Sequence, residues 1–234
     1  MKYGNIFLFD VDGTLTPARQ PMSRDFYSFF LEWMEGKKVY FVSGSDYPKI
    51  QQQIPEDILV SIGGVFGCMG NTLHKAGKLI YENNFIPTLP LLNYLNNRLE
   101  STEYPNLCGT HIEERPGMIN FSIVGRRATQ EQRKDYWNWD QKSGERHNIA
   151  EFINKHFDLL EASVGGEISI DIYPVGWDKS QVLEYIEEGN YRFFGDRALE
   201  GGNDYALAKV LDKEKDKVYN VEGYKETWEL LKLT

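Results

Sequence analysis

The sequence predicts an α/β fold in which a doubly wound, mainly parallel sheet is interrupted by an inserted α+β unit with an antiparallel sheet. Some short runs are apolar throughout, as in parallel strands that are buried on both faces. They occur near both ends of the chain, whereas strands of the middle third alternate between apolar and polar residues. The apolar runs are Ile6–Phe9, Val39–Val42, Leu59–Ile62 and Phe193–Phe194.

Helices are predicted between the apolar runs, which makes them crossover connections of a parallel sheet. The first helix begins after Ser23, a good N-cap residue, and ends at Gly36. A second helix is predicted from Asp178 to about Gly189. It precedes the strand into Asp196, and Lys217–Val221 is a further strand before a last helix.

The middle third has the alternating pattern of antiparallel strands with one exposed face. This pattern covers Met118–Val124 and Ile168–Tyr173. Helices are expected at Leu89–Leu99 and at Thr129–His156, the second one broken near Lys142–Arg146. We therefore predict a core domain made of residues 1–81 and 177–234, and an inserted cap domain of residues 82–176.

The composition of the chain argues against several kinds of binding partner. The chain has 234 residues, 41% of them apolar, and a formal net charge of -9, which argues against binding to nucleic acid or to anionic membranes. Cys68 and Cys108 form no CxxC pair, so neither a disulfide framework nor a cysteine zinc site is expected. The N-terminal residues do not resemble a signal peptide, and no apolar stretch reaches about 20 residues. We expect a cytoplasmic protein.

The most informative motif follows the first apolar run. Asp10-Val11-Asp12-Gly13-Thr14 places two carboxylates at the carboxyl end of a strand, where open parallel sheets bind ligands. Two neighbouring carboxylates repel each other unless they share a cation, and Mg²⁺ prefers such oxygen ligands. Thr14 could donate a hydrogen bond to a phosphoryl oxygen. This motif predicts magnesium-dependent phosphoryl transfer.

Further residues occur in the order found in the haloacid dehalogenase superfamily, which the sequence resembles. They are Ser43 after the second run, Lys179 in Gly176–Lys179, Asp196 after Phe193–Phe194, and Asn203 and Asp204 shortly beyond. The resemblance implies that Asp10 is the nucleophile and Asp12 the general acid and base. It further implies that Ser43 donates to the phosphate and that Lys179 screens both Asp10 and the transferring phosphoryl group. It also implies Mg²⁺ on Asp10, Asp12 and Asp196, with Thr14, Asn203 and Asp204 in support.

The predicted cap is similar to that of eukaryotic-type phosphomannomutases. The similar stretches are Ile112–Arg126, followed by Arg133, and Gly165–Asp171. The resemblance implies that Arg115, Arg126 and Arg133 hold a second phosphate, for which arginine forks are suited. It likewise implies that Ser169 and Asp171 bind sugar hydroxyls and that Arg19 contacts the sugar phosphate. Three segments depart from the family pattern: Ser43–Asp46, Met69–Asn71 and Arg197–Glu200.

The activity implied by the resemblance is the interconversion of mannose 6-phosphate and mannose 1-phosphate. It would proceed through an aspartyl-phosphate and a hexose 1,6-bisphosphate, which is also the activator, and would feed GDP-mannose synthesis in a homodimer paired through the cap. One alternative is a magnesium-dependent sugar-phosphate phosphatase, which would use the same core residues. Another is a phospho-aspartate receiver or sugar-phosphate binder without catalysis. Preference for mannose over glucose phosphate stays open.

Overall fold

The computed structural model describes residues 4–211 and 213–234, and the chain separates into two compact units. The first unit comprises the described residues of Met1–Asn83 and Trp177–Thr234, and the second comprises Asn84–Gly176. Met1–Tyr3, where the N-terminal prediction falls, lie outside the described residues. Among the described residues, every helix is too short or too polar to cross a bilayer.

Strands and helices alternate along much of the chain. The strands are β1 (Asn5–Phe9), β2 (Lys38–Val42), β3 (Gly64–Gly67), β4 (Thr72–Lys75), β5 (Lys78–Glu82), β6 (Ile112–Arg115), β7 (Met118–Phe121), β8 (Leu160–Gly165), β9 (Ser169–Pro174), β10 (Asn190–Gly195) and β11 (Lys217–Asn220). The α-helices are α1 (Arg24–Trp33), α2 (Tyr47–Gln51), α3 (Glu56–Ser61), α4 (Leu89–Ser101), α5 (Gln130–Ser143), α6 (Glu145–His156), α7 (Tyr205–Val210) and α8 (Tyr224–Leu231). Short 3₁₀ helices cover Cys68–Gly70 and Lys179–Glu184.

The first unit is built on a mainly parallel sheet. Its described strands have the order β11-β10-β1-β2-β3-β4-β5, parallel from β11 to β3 and antiparallel from there to β5. Alternate residues of β1 belong to different hydrophobic clusters: Phe7 and Phe9 pack with α1, whereas Ile6 and Leu8 pack with Val182 and Leu207. Both faces of the sheet are therefore covered, as the apolar runs predict.

One apolar run was assigned wrongly. Leu59–Ile62 was predicted to be a strand, but it belongs mostly to helix α3, and the next strand is β3. A run of four apolar residues does not distinguish a strand from one buried turn of helix. Ile58, Leu59 and Ile62 are buried while Val60 is 42% exposed, which is a helical pattern. Glu56 and Asp57 in the first turn also favour a helix start.

The helix predicted from Asp178 to Gly189 is also wrong. Here the structure has a 3₁₀ helix at Lys179–Glu184. The Asp178 side chain accepts a hydrogen bond from the Ser180 amide at 2.7 Å, which tightens the first turn. Lys179 and Val182, which are fully buried, are three residues apart, the spacing at which 3₁₀ side chains align.

The second unit packs helices on an antiparallel sheet. Its described strands have the order β6-β7-β9-β8, and every neighbouring pair is antiparallel. Helices α4, α5 and α6 confirm the predicted helices, and the predicted break lies at Gly144, whose φ of 66° ends α5. The predicted fold class is thus confirmed: a mainly parallel sheet with helices, and a separate antiparallel sheet.

The expectation that one face of β7 and β9 is exposed is wrong. Ser169, Asp171 and Tyr173 are 7%, 2% and 4% exposed. The polar side chains of this face bond to one another. Asn120 Nδ2 donates to Asp171 Oδ1 at 2.7 Å, and Tyr173 Oη donates to Ser163 Oγ at 3.2 Å. Alternation identified the polar face correctly, but polar side chains can be buried when they are hydrogen-bonded.

Candidate active site

Three adjacent parallel strands of the first unit deliver predicted site residues to one edge of the sheet. Asp10 follows β1, Ser43 follows β2 and Asp196 follows β10, and β1 pairs with both of its neighbours. The Asp10 amide extends the pairing by donating to the Phe194 carbonyl at 2.9 Å. Because parallel strands end together, residues far apart in the chain lie side by side here.

Gly13 allows Asp196 to approach the loop after β1. Its φ is +86°, in the left-handed region that favours glycine. A Cβ atom at this position would lie 2.6 Å from Asp196 Oδ2, which is closer than real Cβ contacts come. Glycine is therefore required both by the turn and by the neighbouring carboxylate.

We expect Gly13→Ala to destabilise the fold more than Gly36→Ala does. Gly36 also has a positive φ, +70°, but a Cβ atom there would have no neighbour within 4 Å. Gly36→Ala should cost only the left-handed backbone strain, roughly 1–2 kcal/mol. Gly13→Ala should add the clash with Asp196 and reduce stabilisation by Mg²⁺. Urea unfolding with and without Mg²⁺ measures both effects; equal losses in the two variants would contradict the role given to Asp196.

Lys179 lies between two carboxylates. Its Nζ donates to Asp10 Oδ1 at 2.6 Å and to Asp204 Oδ1 at 2.7 Å, and the side chain is fully buried. Burial by itself lowers the pKa of Lys179, but the two carboxylates more than offset this and leave the pKa above its ordinary value. A permanently protonated lysine thus holds Asp10 from the side of the 3₁₀ helix.

Three carboxylates are close enough to share a metal ion. Oxygen atoms of Asp10, Asp196 and Asp204 all lie within 4.8 Å of one another. Burial, opposed by Lys179 but reinforced by Asp204 and Asp196, raises the pKa of Asp10 well above its ordinary value. Burial and Asp204 raise the pKa of Asp196 to about 7.

The close approach of these three carboxylates fits a site for a divalent cation. Lys179 pairs with Asp10 and Asp204, and Arg197 Nε lies 3.5 Å from Asp196 Oδ2, so three carboxylates face two cations and the buried group keeps an excess of negative charge. A divalent cation with a preference for oxygen ligands would offset the repulsion. Asp204, predicted only to be supporting, belongs to this group, whereas the Asp12 carboxylate, predicted as a ligand, lies outside it among the described residues.

The Asp12 carboxylate is held by other donors. Its Oδ1 accepts from the Arg19 backbone amide at 2.8 Å, and its Oδ2 accepts from Ser45 Oγ at 2.9 Å and from Gln53 Nε2 at 3.5 Å. Arg19 has a φ of +62°, which turns the chain back toward Asp12. The carboxylate is therefore oriented by three donors that carry no charge.

The other predicted residues of the first unit, Ser43, Thr14 and Asn203, are also buried. Ser43 Oγ accepts from the Ser45 amide at 3.1 Å. Thr14 Oγ1 is buried and has no hydrogen-bond partner among the described residues, so it retains the capacity to bond a phosphoryl oxygen. Asn203 Nδ2 contacts Met69 Sδ at 3.9 Å, within the segment that departs from the family pattern.

In the second unit, two of the predicted arginines meet at one carboxylate. Arg115 Nε donates to Glu113 Oε2 at 3.1 Å, and Arg126 Nε lies 3.3 Å from the same oxygen. Arg126 Nη1 also donates to Ser169 Oγ at 2.8 Å, which joins the predicted phosphate and sugar residues. The Arg133 Nε atom pairs with Glu167 at 3.0 Å. Arg115, Arg126 and Ser169 are thus brought together, with Asp171 two residues further along β9.

Some residues of these networks were not singled out from the sequence. Gln53 contacts Asp12 and accepts a hydrogen bond from Thr16 Oγ1, yet it belongs to none of the motifs found in the sequence. Asn120 orients Asp171, and Glu113 joins two arginines. The one available signal was strand alternation, which places Glu113 on the same face as Arg115.

Comparisons of the sequence with known proteins point to one family. The model of the eukaryotic phosphomannomutase family matches residues 26–233. The chain is 36% identical over 213 residues to a phosphomannomutase of Triticum aestivum, covering 87% of this chain and 86% of the relative. It is 34% identical over 239 residues to a phosphomannomutase of Dendrobium officinale, covering 98% and 94%.

Solved structures of low sequence identity share the fold. An IMP-nucleotidase of Plasmodium falciparum aligns with a TM-score of 0.62 at 19% identity, covering 97% of this chain and 67% of that one. A trehalose-6-phosphate phosphatase related protein aligns with a TM-score of 0.54 at 18% identity, covering 98% and 96%. At this identity the likeness bears on the fold alone.

Proposed function

The chain belongs to the eukaryotic phosphomannomutase family, and we propose that it interconverts mannose 6-phosphate and mannose 1-phosphate. The resemblance indicated by the motifs is confirmed by the family match and by the relatives. The observation that carries the proposed chemistry is the contact of Lys179 with Asp10 within the group of three carboxylates. It supports a buried, oriented nucleophile beside a cation site.

The two units would divide the work. In this proposal the first unit is the catalytic core, and the second is the cap that binds substrate. A bisphosphate intermediate has a phosphate that is not being transferred, and Arg115, Arg126 and Arg133 would bind it, with Ser169 and Asp171 on the sugar hydroxyls. A charged donor for each phosphate would let either phosphate of the bisphosphate be the one that is transferred.

The proposed reaction begins with a phosphoryl group on Asp10. The O6 hydroxyl of mannose 1-phosphate attacks phosphorus, Asp12 removes the hydroxyl proton, and the bond to Asp10 breaks, which gives the 1,6-bisphosphate. The bisphosphate turns round, Asp10 attacks the phosphate at C1, and Asp12 returns the proton to the departing sugar oxygen. Mannose 6-phosphate leaves, and Asp10 is phosphorylated again.

Other residues of the core would stabilise the transferring group. Lys179, Ser43 and Thr14 would bind or screen its oxygens. Asp10, Asp196 and Asp204 would hold Mg²⁺, which would supply positive charge at the transferring group. Hexose 1,6-bisphosphate would serve as activator because it delivers the first phosphoryl group to Asp10.

The setting of the enzyme follows from the same proposal. Mannose 1-phosphate, which the reverse direction of this reaction forms, would be used for GDP-mannose synthesis. We propose a cytoplasmic enzyme with a small-molecule substrate. Pairing of two chains through the second unit is proposed by resemblance to the family. Sedimentation of the purified chain tests the pairing directly.

The decisive assay supplies mannose 1-phosphate, Mg²⁺ and a catalytic amount of hexose 1,6-bisphosphate. Formation of mannose 6-phosphate is expected, with little free phosphate. Net phosphate release without the 6-phosphate product would instead identify a phosphatase, which uses the same core residues but gives the phosphoryl group to water. If the assay formed neither mannose 6-phosphate nor free phosphate, both activities would be contradicted.

Arg126→Ala should lower kcat/KM in this assay by about 10- to 100-fold, because hydrogen bonds to charged groups contribute about 1.5–3 kcal/mol. Arg127→Ala is the matched control, since the neighbouring Arg127 is exposed. It should leave the mutase activity near that of the wild type. Equal activity of the two variants would contradict the proposal that Arg126 binds a phosphate.

A further inference from the structure

Glu113 is the residue that joins the two arginines of the second unit. A single oxygen, Oε2, accepts from Arg115 Nε at 3.1 Å and lies 3.3 Å from Arg126 Nε. The two Nε atoms can therefore be no farther apart than the sum of these distances. Two guanidinium groups at such a spacing repel each other, and a carboxylate between them reduces that repulsion.

The position of Glu113 is set by the sheet. Glu113 and Arg115 are two residues apart on β6, so their side chains leave the same face. Across the strands, Glu113 is paired with Asn120, and Asn120 is paired with Asp171. The carboxylate thus begins a row of polar side chains that continues to Asp171, which the proposed function places on the sugar.

Arginine side chains lose considerable rotamer freedom when they are fixed in one place. Contacts within the unit hold Arg115 and Arg126, whose side chains are 3% and 10% exposed. Arg126 is held from two directions, by Glu113 at Nε and by Ser169 at Nη1. A ligand that met these arginines would not have to immobilise them itself.

We propose that Glu113 is a positioning residue of the sugar-phosphate site, which keeps Arg115 and Arg126 side by side before the substrate arrives. The inference rests on the proposed function for the place of the arginines, and it adds a residue to which that function assigns no part. Glu113 acts through the arginines and need not touch the substrate.

Glu113 could also have the opposite effect on binding, and an experiment can distinguish the two effects. A carboxylate near an anion site also repels the anion, so Glu113 could act as a competitor of phosphate. The Glu113 side chain is 26% exposed, so its long-range repulsion is weakened by solvent. Its contacts with the arginines are short and partly buried. The loss of positioning should therefore outweigh the relief of repulsion.

The test measures binding of mannose 6-phosphate to the full chain by calorimetry, without bisphosphate, so that binding is separate from turnover. Glu113→Gln should raise Kd about 10-fold, within the range of couplings between residues in contact. Glu114→Gln is the matched control, because Glu114 is exposed and lies on the opposite face of the same strand. Its Kd should equal that of the wild type.

A double-mutant cycle with Arg126→Ala distinguishes positioning from a general structural role. If Glu113 acts through Arg126, Glu113→Gln should weaken binding less in the Arg126→Ala background than in the wild type. Loss of thermal stability alone would give equal factors in both backgrounds. The test therefore compares the increase in Kd caused by Glu113→Gln in the wild type with the increase in the Arg126→Ala background. A purely structural role gives the same increase in both.

Three results would overturn the inference: tighter binding by Glu113→Gln, an unchanged Kd, or equal factors in the cycle. Binding without mutase turnover in the wild type would reject the proposed function but leave the role of Glu113 standing. No binding of mannose 6-phosphate by the wild type would reject both.

Discussion

Asp10→Asn is expected to reduce mutase turnover by at least about a thousandfold, because an amide cannot replace the carboxylate that attacks phosphorus. The substitution preserves the shape of a side chain that is 6% exposed at the end of β1. The fold should therefore persist, which circular dichroism can check. Turnover is measured with mannose 1-phosphate and bisphosphate activator.

A covalent label gives a second reading of the same variant. The wild type incubated with hexose bisphosphate labelled in its phosphates should retain label that hydroxylamine releases, as expected of an acyl phosphate, and Asp10→Asn should retain none. Asp25→Asn is the control, because Asp25 is exposed in the first turn of α1. Label or activity in Asp10→Asn would mean that another group carries the phosphate.

Lys179→Met is expected to lower the free energy of unfolding by about 3–5 kcal/mol in the presence of EDTA, the usual result of removing one partner of a buried ion pair. Asp10 and Asp204 would be left without their shared cationic donor. Adding Mg²⁺ should restore part of the loss, because a cation that binds only the folded state stabilises it. Urea unfolding in EDTA and in Mg²⁺ gives both numbers.

Two further variants make this result specific. Lys225→Met removes an exposed lysine and should change stability little. Lys179→Met combined with Asp204→Asn should be more stable than Lys179→Met alone, because one unpaired carboxylate has also been removed. A Lys179→Met protein as stable as the wild type would show that Lys179 does not hold the two carboxylates together.

The sequence was informative where a local pattern has a single physical meaning. The apolar run before Asp10 predicted a strand buried on both faces, and the strand end predicted the place of the carboxylates. The same reasoning failed for Leu59–Ile62, since a short apolar run fits either a strand or one turn of helix. Alternation in β9 identified the polar face, but solvent exposure depends on which side chains bond across strands.

The sequence by itself determined the fold class, the family resemblance and the strand-end position of the acidic motifs, because these depend on periodicity and on residues close in the chain. The resemblance predicted Lys179 beside Asp10, but only the tertiary structure decided that Lys179 also holds Asp204 and that Glu113 joins Arg115 and Arg126. Such contacts depend on side-chain direction and on strand register. Strand order brings Lys179 to Asp10 across 169 positions of the chain, a separation at which no local pattern records the pairing.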